Sequence, residues 1–140
     1  MSRYNLHVDF DFDFELVSIV SSVRDYRLCH QINRELHFDL IRKNDLEITN
    51  DKKRSQSKFS LFIYEDEINF LQYFFINNKC SGSNLIPEMR QVDYFLMIRG
   101  DAAGLVKYDI MQQLKGLDGI QALFEIDPKS LKSKKYLIFE

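Results

Sequence analysis

The sequence predicts an α+β fold, a mainly antiparallel sheet carrying two principal helices, and three patterns predict it. Between Asp93 and Arg99 the chain is apolar in both phases of a strand: Val92, Tyr94, Leu96 and Ile98 point one way, Phe95 and Met97 the other. Two aromatic runs, Phe59 to Tyr64 and Phe70 to Ile76, flank Glu65-Asp66-Glu67, which is the spacing of a hairpin with a short loop. Two stripes with helical spacing complete the set: Leu28, Cys29, Ile32 and Leu36, then Val106, Ile110, Leu114 and Leu117.

From the amino terminus, Tyr4, Leu6, Val8, Phe10, Phe12 and Phe14 alternate with polar residues, the period of a half-buried strand. Leu16 to Ser22 shows no clear period and is a bridge into a helix over 24–36. Phe38, Leu40, Leu46 and Ile48 suggest extended chain, and the polar run 49–58 predicts a mobile loop. Asn77 to Asn84 carries turn chemistry, and Pro87 excludes a helical conformation for Ile86. Gly100 ends the strand after it, Asp101 is placed to cap the second helix, and Gly116 and Gly119 bracket the exit into a strand at 120–126. A basic segment from Pro128 ends in Tyr136-Leu137-Ile138-Phe139, which suggests one more short strand. The order resembles a ferredoxin-like sandwich with an inserted hairpin, its last strands parallel across a helix.

The 140 residues predict a single domain, 1–140, and no apolar run is long enough to span a bilayer. The mean hydropathy of −0.30 and the absence of a basic, apolar leader predict a cytoplasmic protein. Cys29 and Cys80 stand far apart without metal spacing, as reduced cytosolic thiols do. A net charge of −2 disfavours nucleic acid, since Lys129, Lys132, Lys134 and Lys135 interleave with serine and lack stacking aromatics.

No catalytic or metal signature stands out, and no cofactor is implied. Asp9, Asp11 and Asp13 would share one strand face at a separation of ~6.7 Å, and a divalent ion could bridge two of them only with a further ligand. Alternation alone explains them, and a solvated strand face is the favoured reading over a metal site. His7, His30 and His37 lack zinc spacing, and Asp25-Tyr26-Arg27 reads as a helix start. Glu88 and Asp93 could be an acid and base, yet each has a simpler role: Glu88 holding loop amides or pairing with Arg90 or Arg99, Asp93 tying down the turn before its strand.

The block Leu85-Ile86-Pro87-Glu88-Met89-Arg90-Gln91-Val92-Asp93-Tyr94, with Asp9 to Phe14 and Asp25 to Cys29, resembles the bacterial family named for its IPExxVDY motif. Here three residues, Met89, Arg90 and Gln91, separate Glu88 from Val92, one more than that name implies, and a linker before a strand tolerates such an insertion. The family has no assigned activity, cofactor or partner. The resemblance therefore implies a cytoplasmic bacterial protein and brings over no catalytic residue; Pro87, Glu88, Asp93 and Tyr94 are its signature positions.

Two helices pave one side of a sheet, so Phe62 or its neighbours, Leu71, Tyr73, Phe75, Phe95 and Met97 are expected to form a second, aromatic side, which either loops and the Leu16 to Ser22 bridge close within the monomer or a homodimer copy, a ligand or a protein partner covers. A non-catalytic interaction or regulatory domain acting through the aromatic sheet face with Phe95 and Met97, or through the 77–90 loop, is the leading expectation. A small-molecule sensor or a divalent-metal enzyme is the alternative.

Overall fold

Leu16 to Val20 is apolar on both sides, and that is why it shows no period: it is the body of a strand buried from both faces. The computed structural model describes residues 14–50 and 55–137. It begins with this strand, β1 (Phe14–Val20), followed by α1 (Asp25–Leu36), β2 (Ile41–Asn50), β3 (Ser55–Asp66) and β4 (Leu71–Asn77). A small pair, β5 (Lys79–Cys80) and β6 (Ser83–Asn84), then leads through a 3-10 turn at Pro87–Met89 to β7 (Tyr94–Arg99), α2 (Ala103–Leu114) and β8 (Ala122–Ile126). Two more 3-10 turns, Pro128–Ser130 and Lys134–Leu137, close the described chain.

The main sheet has six strands in the order β2-β3-β4-β7-β1-β8, and every neighbouring pair is antiparallel. Strands β7 and β8 run parallel to each other, as the sequence predicts, but β1 lies between them and pairs with both. This split strand-helix-strand arrangement, extended at one edge by β2 and β3, is the enlarged ferredoxin-like α+β sandwich. The polar run 49–58 is not a loop throughout. Thr49 and Asn50 pair with Gln56 and Ser55 across β2 and β3, and a polar run suits strand residues near an edge that faces water. The segment preceding Phe14, with Asp9, Asp11, Asp13 and His7, lies outside the described residues.

Both helices bury the stripes that their spacing predicts. Leu28, Cys29, Ile32 and Leu36 of α1 and Ile110 and Leu114 of α2 are buried, with Val106 and Leu117 partly covered. Asp101 does not cap α2: Ala102 takes the N-cap position without a side-chain bond, and the Ala103 N–H is satisfied by the Gly100 carbonyl at 3.1 Å. Asp25 likewise sits inside the first turn of α1, where its carboxylate accepts the Tyr26 N–H at 2.7 Å and suits the positive end of the helix.

The helices cover Val17, Ile19, Phe62, Tyr73, Phe75, Tyr94, Leu96 and Ile98. Tyr73 and Phe75 thus belong to the helix side, because Phe75 pairs with Leu96 and cross-strand partners share a face. Leu71 joins them there. Phe74 and Ile76, opposite Met97 and Phe95, occupy the other side.

That other side is closed by the chain itself. Leu85, Ile86 and Val92 from the 77–93 segment and Leu131 and Leu137 from the C-terminal segment pack over Phe59, Phe74, Phe95 and Met97. Phe95 and Met97 have no exposed surface. The expected open aromatic face is therefore a second core. Val92 turns toward it, against the strand phase, because it precedes β7 in a turn that donates its N–H to Met89. Lys134–Leu137 curls into a 3-10 turn instead of a strand, which lets Leu137 point inward.

Candidate functional site

The 77–94 segment carries the signature residues, and the Glu88 and Asp93 carboxylates and the Tyr94 hydroxyl all make hydrogen bonds. Asn78, fully buried, organises it: its side-chain amide donates to the carbonyls of Met89 at 3.0 Å and Val92 at 2.8 Å, while its oxygen accepts the Ile86 N–H at 2.8 Å. Its backbone N–H donates to Asp93 and its carbonyl accepts from Leu85, both at 2.9 Å. A carboxamide is the one small side chain that presents two donors and an acceptor together, which this irregular backbone needs. Pro87 opens the 3-10 turn, and Ile86 before it is extended at φ −113°, as the proline requires.

Asp93 and Tyr94 reach across the sheet to the exit of β1. The Asp93 carboxylate accepts the Ser21 N–H at 2.8 Å, its own N–H donates to Ile19 at 2.9 Å, and the Tyr94 hydroxyl donates to the Val23 carbonyl at 2.6 Å. Ser21 extends the chain of contacts, donating through its hydroxyl to Gly119 at 2.5 Å and accepting from Val23. Asp93 therefore ties down the β1–α1 connection, where the sequence suggests the turn before β7. Glu88 pairs with neither Arg90 nor Arg99. Its carboxylate accepts from the Ser133 N–H at 2.8 Å and hydroxyl at 2.9 Å, joining the two pieces of chain that cover the second core. Burial would raise the Glu88 carboxyl, but the amides of Ser133, Glu88 and Lys132 and the Ser133 hydroxyl together hold it below its ordinary value.

Both signature carboxylates accept structural N–H groups. Of the described histidines, His30 is exposed, and His37 occupies the left-handed residue that ends α1, at φ 58°. Among the described residues no group of three or more His, Cys, Asp or Glu is arranged to hold a metal ion.

Three weak acids are buried on the helix side of the sheet. Burial, helped by the Asp25 carboxylate, pushes the Cys29 thiol up to about 12. Burial, then the Asp25 and Asp93 carboxylates, does the same for the Tyr94 phenol; burial, then Asp66 and Tyr64, does so for Tyr73, both to about 12. All three are neutral when folded, whereas the unfolded groups ionise from about pH 9 to 10. Stability is thus fully present below pH 9 and falls as pH rises toward 12. The loss amounts to a few kcal/mol, since a tenfold change in a proton-binding constant is worth ~1.4 kcal/mol. Urea midpoints measured from pH 8 to 11.5 should decline progressively; a flat profile would contradict this burial.

A different corner holds what the signature region lacks: exposed chemistry. Turn residues 67–70 join β3 to β4, with the Asp66 carboxylate accepting from the Asn69 N–H at 3.2 Å and side-chain amide at 2.8 Å. At this tip Ile68 is 87% and Phe70 85% exposed, and Phe70 adopts a left-handed φ of 56°, which costs a bulky residue on the order of 1–2 kcal/mol. Gly100, at φ 137°, allows the tip to close against the end of β7: a Cβ there would meet the Phe70 carbonyl at 2.6 Å. An open cleft of about 530 Å³ lies between tip and helix, lined by Glu65, Asn69, Phe70 and Gln72 on one side and Arg99 to Ala102 on the other. On α2, Leu105 is 84% and Tyr108 71% exposed, three residues apart. The aromatic alternation of β4 does not reveal this corner, since nothing in it marks Phe70 as the turn residue and Leu71 as the first buried one.

The class defined by the described residues is an α+β domain with two closed cores and an exposed apolar tip between β3 and β4. No protein-family model matches the chain, and no curated protein matches it.

Proposed function

We propose that this chain is a non-catalytic interaction or regulatory domain of the bacterial cytoplasm whose contact surface is the β3–β4 tip that carries Ile68 and Phe70. The observation that carries the reading is the exposure of Ile68 and Phe70 on a tip that accepts left-handed backbone strain, although both faces of the sheet are filled. The Ile86-Pro87-Glu88 and Val92-Asp93-Tyr94 elements support grouping the chain with the IPExxVDY proteins, and their hydrogen bonds support a structural role for that signature. No helix among the described residues is long and apolar enough to cross a membrane. A small-molecule sensor is the second reading, favoured by the cleft beside Phe70.

The test is site-specific photo-crosslinking in the native cell, with benzoylphenylalanine at position 70 and, as control, at Tyr26, which is 59% exposed on α1. A discrete protein adduct at position 70 and none at position 26 is the expected result. No adduct at position 70, or the same adduct at both positions, overturns the reading.

A further inference from the structure

The two edges of the main sheet are finished differently. The outer strand β2 carries four charged side chains, Arg42, Lys43, Asp45 and Glu47, and its register shifts between Lys43 and Leu46; charges and a bulge are what keep an edge strand from pairing with another chain. At the opposite edge β8 has neither protection. Its register against β1 is continuous from Ala122 to Ile126, and five residues is an ordinary strand length. Among the described residues its main chain bonds only to β1, which leaves the N–H and C=O groups on its outer side without a partner strand. The one charged residue of β8, Glu125, is held by Lys107 at 2.7 Å, so the charge that could guard this edge is neutralised within the chain. Leu123 packs on the helix-side core and Phe124 and Ile126 on the second core, and all three stay partly exposed. Both cores therefore reach the surface here.

We propose that β8 is the pairing edge of a homodimer, in which β8 of a second copy lies antiparallel beside it across a two-fold axis and the sheet runs on through both copies. A row of alternating N–H and C=O groups is satisfied by another extended main chain, and an identical strand supplies one symmetrically. The side chains fit the same arrangement. Centred on Phe124, the pairing sets that ring beside its counterpart, Ala122 beside the partner's Ile126 and Leu123 beside the partner's Glu125. No carboxylate then faces a carboxylate, and the paired rings extend the second core across the axis. This surface is separate from the β3–β4 tip, whose strands lie in the other half of the sheet.

Sedimentation equilibrium of the full chain from about 1 µM to about 1 mM is the test. The mass should rise with concentration toward twice 16.7 kDa, and amides 122–126 should exchange with deuterium more slowly at the top of that range than at the bottom. Ala122→Lys, at an exposed position, should raise the dissociation constant roughly tenfold or more while the circular dichroism stays that of the wild type. Phe124→Lys should do the same from the centre of the strand. Ile41→Lys, on β2 where Ile41 is 50% exposed, should leave the association unchanged. A mass that stays at 16.7 kDa throughout, a dimer that both lysine variants of β8 leave intact, or added protection at 41–50 or 67–70 instead of 122–126 overturns the proposal.

Discussion

Asn78→Ala should lower stability by about 3 kcal/mol, far more than a loop substitution usually costs. Alanine leaves the Ile86 N–H without its acceptor inside the protein and takes the amide donor from Met89 and Val92, in a place where none of Asn78 is exposed. Each buried group so orphaned costs about 1–3 kcal/mol, with Met89 partly compensated because it also accepts from Val92. Asn78→Asp should be worse, since it sets a buried oxygen against two carbonyls and retains no donor for them. Urea unfolding gives the measurement, and a loss below about 1 kcal/mol for the alanine variant would show that the 77–93 segment stays closed without this residue.

Phe95→Ala should cost about 3–5 kcal/mol and Met97→Ala about 2–5 kcal/mol, because each empties space in the second core. A residue on an open contact face would behave differently, changing stability by no more than about 0.5 kcal/mol while weakening a partner. The two roles are therefore separated by one denaturation curve. If both variants unfold at the wild-type midpoint, the C-terminal and 77–93 segments do not cover the sheet as described, and the aromatic face returns as a docking surface. Loss of a partner by a Phe95 variant has no meaning until its folding has been checked.

Regular periods were legible, and irregular cover was not. The α1 and α2 stripes and the alternating phases of β7 follow from spacing alone, because a helix or strand repeats its geometry. β1 hid itself by being buried twice over, so that Leu16, Val17, Ile19 and Val20 give no alternation. The need for something over Phe95 and Met97 was legible too, but its source was not: Leu85, Ile86, Leu131 and Leu137 are isolated apolar residues in polar surroundings, and only their long-range packing makes them a layer. Asn78 sits in a run of turn-forming residues whose composition says nothing about which member is buried. At the candidate corner, Gly100 was read as a strand stop, whereas its larger role is to admit the Phe70 carbonyl.

The placement of β1 between β7 and β8 also bears on biosynthesis. The first described strand finds both of its neighbours about 75 residues or more further along, so a nascent polypeptide emerging from the ribosome carries Leu16 to Val20 unsheltered until residues 94–126 have been made. A message cut short before codon 94 would yield a fragment with both edges of that strand open, which invites chaperone capture or aggregation before any folded product forms.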